Sequence, residues 1–301
     1  MNKLLIIGCG DIGRRVAHLA LHEYSHIIAL VRTLEKRVLL EESGIDTIIG
    51  NLDDPAALAA LPTAGSDVCY FAPPPGGGVV DTRMQNFCSV IPGGMEPNKI
   101  VYLSTSGVYG DCGDAAVTEE TPPNPSTTRA RRRLNAETTL TEWGRERGVP
   151  VIILRVTGIY GPGRLPLMHL MSGAPLLKES EAPVTNRIHA DDLAAVCIAA
   201  LVKGNGGDIF NVSDGEHGTM THYFNAVADL LGIPLPPQVG RDEAAKVMPP
   251  LLYSYFCESR RIDNRKIIDK LGITLRYPTL AKGLSSCKPE NWQPPDTGRH
   301  E

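Results

Sequence analysis

Leu4-Leu5-Ile6-Ile7-Gly8-Cys9-Gly10-Asp11-Ile12-Gly13 is the stretch whose reading settles the fold. A short apolar run enters a GxGxxG turn. Ile12, Val16, Leu19 and Ala20 then recur at helical spacing, giving one face to bury against a sheet. In a strand, turn and helix of this kind the three glycines do different things. Gly8 permits the tight turn, Gly10 brings backbone against a pyrophosphate with no Cβ in the way, and Gly13 lets helix and strand close up. The amides around Asp11 and Ile12, at the positive end of the helix, then face the phosphates. Cys9 reads as a small filler rather than a redox thiol.

The pattern continues outward. Apolar runs at His26 to Val31, Asp46 to Ile49, Asp67 to Ala72, Lys99 to Ser104 and Val151 to Thr157 alternate with amphipathic stretches, as parallel strands with helical crossovers do. Leu34 to Ser43 reads as a helix stopped by Gly44, and Arg129 to Arg147 as a long polar helix ended by Gly148-Val149-Pro150. The expected fold class is α/β, a Rossmann-type doubly wound parallel sheet over residues 1–160 to which a strand and helix near 187–212 return. Beyond Thr157 the breakers Gly161-Pro162-Gly163, Pro166, Gly173, Pro175 and Pro183 mark a less regular part. Residues 161–186 and 213–301 are therefore assigned to a smaller mixed α/β lobe that binds substrate. Helices are expected at Asp192 to Val202, capped by Asp191 or Asp192, at Thr219 to Leu231, and at Asn264 to Leu271. The stretch from Lys282 is polar and proline-bearing and is expected to fray.

The end of the second strand chooses between two cofactors. An acidic residue there would bond the ribose hydroxyls of NAD, whereas an arginine accommodates a 2′-phosphate. The chain reads Val31-Arg32-Thr33 with no acid before Glu35, so Arg32 is the expected phosphate clamp and NADP(H) is favoured over NAD(H). An ordinary solvated arginine is the alternative reading of Arg32. Asn51, Leu52 and Asp54 follow the third strand where the adenine would rest. Ala72, Pro73, Ser104 and Gly158, at the ends of later strands, complete the expected cofactor contacts.

Composition narrows the partners. Charged residues make up 21% of the chain and the formal net charge is -4, so there is no basic excess for nucleic acid. No run approaches the roughly 18 apolar residues of a membrane helix, and Met1-Asn2-Lys3 leads directly into a strand, so neither anchor nor signal peptide is expected. Seven cysteines, at 9, 69, 88, 112, 197, 257 and 287, form no CxxC pair and read as reduced, mostly buried thiols of a cytoplasmic protein. No metal is expected, and the partner is an unidentified small-molecule substrate.

The GxGxxG turn, Asn51-Leu52-Asp53-Asp54-Pro55, Leu103-Ser104-Thr105-Ser106-Gly107-Val108-Tyr109-Gly110, Arg155 to Pro162 and Arg187-Ile188-His189-Ala190-Asp191-Asp192 together resemble the extended short-chain dehydrogenase/reductase family. Within it, the NAD(P)-dependent epimerase/dehydratase type is the nearest, and the resemblance spans nearly the whole chain. It implies a catalytic Ser or Thr after the fifth strand, which falls on Thr105, a YxxxK pair on the next helix, a loop at Tyr160 to Gly163 over the nicotinamide side, and commonly a homodimer through helices of the sheet domain.

Here the chain departs from the pattern. Counted back from Glu137, the Tyr and Lys positions are Arg129 and Arg133. A guanidinium with a pKa above about 12 does not give up a proton to a carbonyl as a tuned phenol does. Tyr109 and His189 are then the candidate donors, each with a purely structural alternative, as a packed tyrosine and a histidine before a helix. Arg129 and Arg133, with Arg131 and Arg132 beside them, either grip an anion or form a solvated basic face. Arg155 and Arg187 either bind substrate or tie the lobes to carboxylates. The fourth strand also differs, running into Phe71-Ala72-Pro73-Pro74-Pro75-Gly76-Gly77-Gly78, which makes a stiff loop beside the cofactor. Two functions follow: an NADP-dependent oxidoreductase, isomerase or dehydratase with an unusual proton donor, or a non-catalytic NADP(H)-binding sensor or scaffold.

Overall fold

The computed structural model describes residues 2–288. Five strands, β1 (Lys3–Ile7), β2 (His26–Val31), β3 (Asp46–Ile49), β4 (Ser66–Tyr70) and β5 (Lys99–Thr105), alternate with helices α1 (Asp11–Ala20), α2 (Leu34–Glu41) and α3 (Thr82–Ser89), and the long helix α4 (Thr128–Arg147) follows. Val151–Val156 and Ile209–Val212 complete one parallel sheet in the order β3, β2, β1, β4, β5, Val151–Val156, Ile209–Val212 from one edge to the other. This is the expected doubly wound sheet, with seven strands. Leu4 to Ile7 and Ile152 to Leu154 are apolar without alternation because helices cover both faces.

α1 and the helix Ala190–Lys203 bury Val16, Ala17, Leu193 and Val196 on one face; α3 and α4 bury Phe87, Ala136 and Leu140 on the other. Within α1 the sequence expectation errs at Leu19, which is 40% exposed. The buried arc runs from Ile12 through Val16 and Ala20 to Gly13 and Ala17, and Leu19 falls beyond its edge.

Arg187 lies in the strand Val184–His189, which pairs with Gly158–Tyr160 and with His217–Thr219 in a separate three-stranded sheet. The helix that follows starts at Ala190, and its cap is neither Asp191 nor Asp192. His189 caps it, its Nδ1 accepting from the Asp191 amide. Asp192 is released to accept from the amides of Arg276 and Tyr277, pinning a later segment to the sheet domain. Outside the large sheet a second core gathers Tyr223, Phe224, Val227, Leu231, Phe256 and Leu284, and the elements around it are called the smaller lobe below. The fraying expected from Lys282 does not begin there, because Leu280–Ser285 is helical. Leu280, Leu284 and Cys287 form an apolar stripe at helical spacing that the polar composition hides, and residues after 288 lie outside the described ones. Among the described residues no helix is long and apolar enough to cross a membrane.

Candidate functional site

The turn between β1 and α1 has the geometry of a phosphate cradle. Gly8 has φ +92, and a Cβ there would sit 2.5 Å from the Ala72 amide nitrogen, so only glycine lets the ends of β1 and β4 meet. Gly13 packs against the Gly8 carbonyl, where a Cβ would lie at 3.1 Å. A Cβ on Gly10 would meet nothing within 4 Å, so the turn presents open space there. No side chain caps α1, so its first amides are left for a ligand, and the open face at Gly10 lets an anion reach them. These features fit a pyrophosphate.

Asp11 does not point at that space. It accepts from Arg15 at 3.1 Å and Arg164 at 3.0 Å, while Arg15 also pairs with Asp191 and reaches the Pro162 carbonyl. The Pro162 to Arg164 loop is thereby tied across the start of α1.

Arg32 stands exposed at the end of β2, and Thr33 beside it caps α2. The Gly50 amide donates to the Val31 carbonyl and holds the ends of β2 and β3 together. Asn51 is exposed and accepts from the Asp53 amide, Leu52 is buried with its carbonyl accepting from Asn86, and Asp54 caps a short turn. Hydrogen bonds from Arg83, at 2.7 Å to each Asp53 oxygen, hold the Asp53 carboxyl below the usual range. Ala72 is buried against Gly8, and the Pro73 carbonyl accepts from Arg83.

Past Pro73 opens a cleft of about 840 Å³ between the C-terminal ends of the large sheet's strands and the smaller lobe. Thr105 and Gly158 line it, and Ser104 does not: the Ser104 hydroxyl is buried on Glu137. Thr105 Oγ accepts from the Gly107 amide at 3.2 Å and donates to no acceptor among the described residues, so its proton is available to a ligand oxygen.

The four clustered arginines of α4 diverge. Arg132 turns onto the carbonyls of Pro75 and Gly77 and staples the proline-glycine loop, and exposed Arg131 bonds the Pro125 carbonyl. Arg129 and Arg133 line the cleft. The Arg129 guanidinium lies 4.6 Å over the ring of Tyr255, and Arg133 donates to the Tyr102 hydroxyl and the Leu103 carbonyl.

The two alternative proton donors are not brought to the cleft. Tyr109 is 1% exposed, its hydroxyl donates to Asn211 at 2.8 Å, and burial raises its pKa. His189 is wholly buried, its two ring nitrogens engaged by the Asp191 amide and Ser286, and burial lowers its pKa.

Arg155 and Arg187 part company as well. Arg155 pairs with Glu137 at 2.8 Å and joins α4 to the large sheet, whereas Arg187 lines the cleft with its guanidinium 4.4 Å over Tyr223. Sequence reasoning missed Tyr223, Tyr255 and Arg164. Tyr223 sits on a helix whose apolar spacing reads only as core, and nothing in the pattern shows that this face also borders a cleft. Burial pushes the Tyr223 phenol up to about 12.

Residues 4–213 match the NAD dependent epimerase/dehydratase family. Protein YeeZ of Escherichia coli strain K12 is 29% identical over 181 residues, which is 60% of this chain and 59% of YeeZ, so the match spans less than two thirds of that relative. A solved structure of a functionally unknown conserved protein from Silicibacter pomeroyi is 30% identical, covering 95% of this chain and 97% of that one with a TM-score of 0.78. The dTDP-glucose 4,6-dehydratase DesIV of Streptomyces venezuelae, solved with NAD bound, shares the fold at 21% identity, a TM-score of 0.76 and 94% coverage of both chains.

Proposed function

Because this chain belongs to the NAD dependent epimerase/dehydratase family, we propose that it binds NADP(H) across the Gly8 to Gly13 turn and acts as an oxidoreductase, or as an isomerase or dehydratase of the same type, on a polar small molecule held in the cleft. When bound, the nicotinamide supplies a hydride acceptor or donor. The observation that carries the reading is the uncapped start of α1 with open space at Gly10, at the same C-terminal end of the large sheet's strands as a cleft lined by Thr105. The free Thr105 proton orients and polarises a substrate oxygen. Exposed Arg32 supports a 2′-phosphate at the end of β2, and the seven free cysteines support a reducing compartment such as the cytoplasm.

Calorimetry with NADPH and NADH tests the cofactor: NADPH binds more tightly, and Arg32→Ser reduces that preference by about tenfold. NADPH oxidation over a panel of carbonyl compounds tests the chemistry, with Thr105→Ala lowering any turnover by about a hundredfold. No binding of either dinucleotide would remove the proposal.

One observation favours the non-catalytic reading. Arg129 and Arg133 occupy the expected Tyr and Lys positions and face Tyr255, Tyr102 and the Leu103 carbonyl. A sensor or scaffold would bind NADPH without turnover of any compound in the panel, and its affinity for a partner would depend on the cofactor.

A further inference from the structure

Six arginines line the cleft. Arg164 and Arg260 are paired with Asp11 and Glu258, and Arg132 and Arg133 are spent on protein oxygen atoms. Arg129 is only half-buried and lies over the Tyr255 ring. Arg187 is different. It is 7% exposed, held by the pairing of its strand with Gly158–Tyr160 and by stacking on Tyr223. Its Nη2 donates to the Thr219 carbonyl at 3.2 Å and touches the Met220 sulfur at 3.6 Å. Nε and Nη1 have no acceptor among the described residues, and no carboxylate there lies within the 4.0 Å of an ion pair. The neighbouring acids are otherwise engaged: Glu216 accepts from the Leu280 amide, and Asp214 accepts from the Glu216 amide.

A buried cation without a counter-ion is costly, and the cost is offset when an anion completes it. The free edge of a guanidinium matches two oxygens of one carboxylate or phosphate. We infer that Arg187 is the anion anchor of the cleft, so that the small molecule accepted there carries a carboxylate or phosphate group, seated on the guanidinium edge beside Tyr223. This rests on the cleft being the substrate site proposed above, but the anchor can be tested without turnover.

The full chain is titrated calorimetrically with inorganic phosphate and with succinate, in the presence and absence of NADPH. At least one anion binds saturably, and Arg187→Gln weakens it by about tenfold or more while changing NADPH affinity by less than about twofold. Arg187→Lys, which keeps the charge and loses the fork, weakens it less and carries the test should the glutamine variant fail to fold by circular dichroism. Binding of phosphate alone assigns a phosphoryl group, binding of succinate alone a carboxylate, and both results support the anchor. Saturable binding of neither anion, or equal affinity in the variant, overturns it. Loss of NADPH binding by the unaltered protein strikes the cofactor reading instead and leaves the nucleotide-free titration to judge Arg187.

Discussion

Arg155 and Arg187 are two arginines buried to nearly the same degree, 3% and 7% exposed, each with its guanidinium over a tyrosine ring. Around Arg155 the structure is finished. Glu137 accepts from it with both carboxylate oxygens and also takes the Ser104 hydroxyl. Burial pulls the Arg155 pKa down, and the hydrogen bonds and charge of Glu137 outweigh it, leaving the group above its ordinary value. Around Arg187 the same stacking lacks the carboxylate, and burial prevails, pulling the group down to about 10. Equal burial of one residue type thus has opposite meanings. A closed pair locks a helix to a sheet, and an open cation leaves a place for something that is not part of the chain.

The largest effect tests the closed half. Glu137→Ala strands a buried guanidinium and is expected to cost about 3–5 kcal/mol in chemical denaturation. Arg187→Gln removes a charge that has no ion-paired carboxylate to leave behind, and is expected to cost less than about 1 kcal/mol or to stabilise. Similar losses for both variants would erase the distinction.

The same division runs through the glycine turn. Gly8→Ala forces a side chain into the left-handed region and onto the Ala72 backbone, so a loss of about 2–4 kcal/mol is expected in thermal or chemical unfolding. Gly10→Ala meets open space at an ordinary φ of -85 and folds nearly as well, but its methyl lies on the side open to a pyrophosphate. NADPH affinity is expected to fall by about tenfold in calorimetry with little change in stability. A destabilised Gly10→Ala protein with unchanged affinity would place that glycine with the finished structure.

What is legible in the sequence follows this line too. Strand, turn and helix from Leu4 to Ala20 depend on nearest neighbours along the chain, and their spacing carries them. Counting along the chain likewise sets Arg129 and Arg133 at the positions expected of Tyr and Lys. Their guanidinium partners are not legible in this way, because Tyr255 arrives from the smaller lobe and Tyr102 from β5, far apart in sequence. Arg155 and Arg187 read alike, since only the packing of α4 brings an ion-paired carboxylate, Glu137, to one and none to the other. Leu280 to Cys287 misleads for a simpler reason: composition is a poor guide over a stretch where spacing decides.

The smallest effect probes the surroundings of the open cation through Asp214. Its amide donates to the Arg187 carbonyl at 2.7 Å, and burial pushes its carboxyl up to about 7 against the hydrogen bond from the Glu216 amide. A carboxyl whose folded pKa is raised holds its proton better in the native than in the unfolded chain. Its contribution to stability is therefore full below the unfolded value near about 4 and is lost as pH rises toward the folded value. The melting temperature is expected to fall by a few degrees between about pH 5 and pH 8, with Asp214→Asn flattening that slope. An anion seated on Arg187 adds negative charge near Asp214 and raises its pKa further. Saturating phosphate or succinate, whichever binds, should therefore move the slope to higher pH in the unaltered protein and not in Arg187→Gln. A slope indifferent to both the Asp214 substitution and the anion would mean that the carboxyl and the guanidinium are not electrically joined.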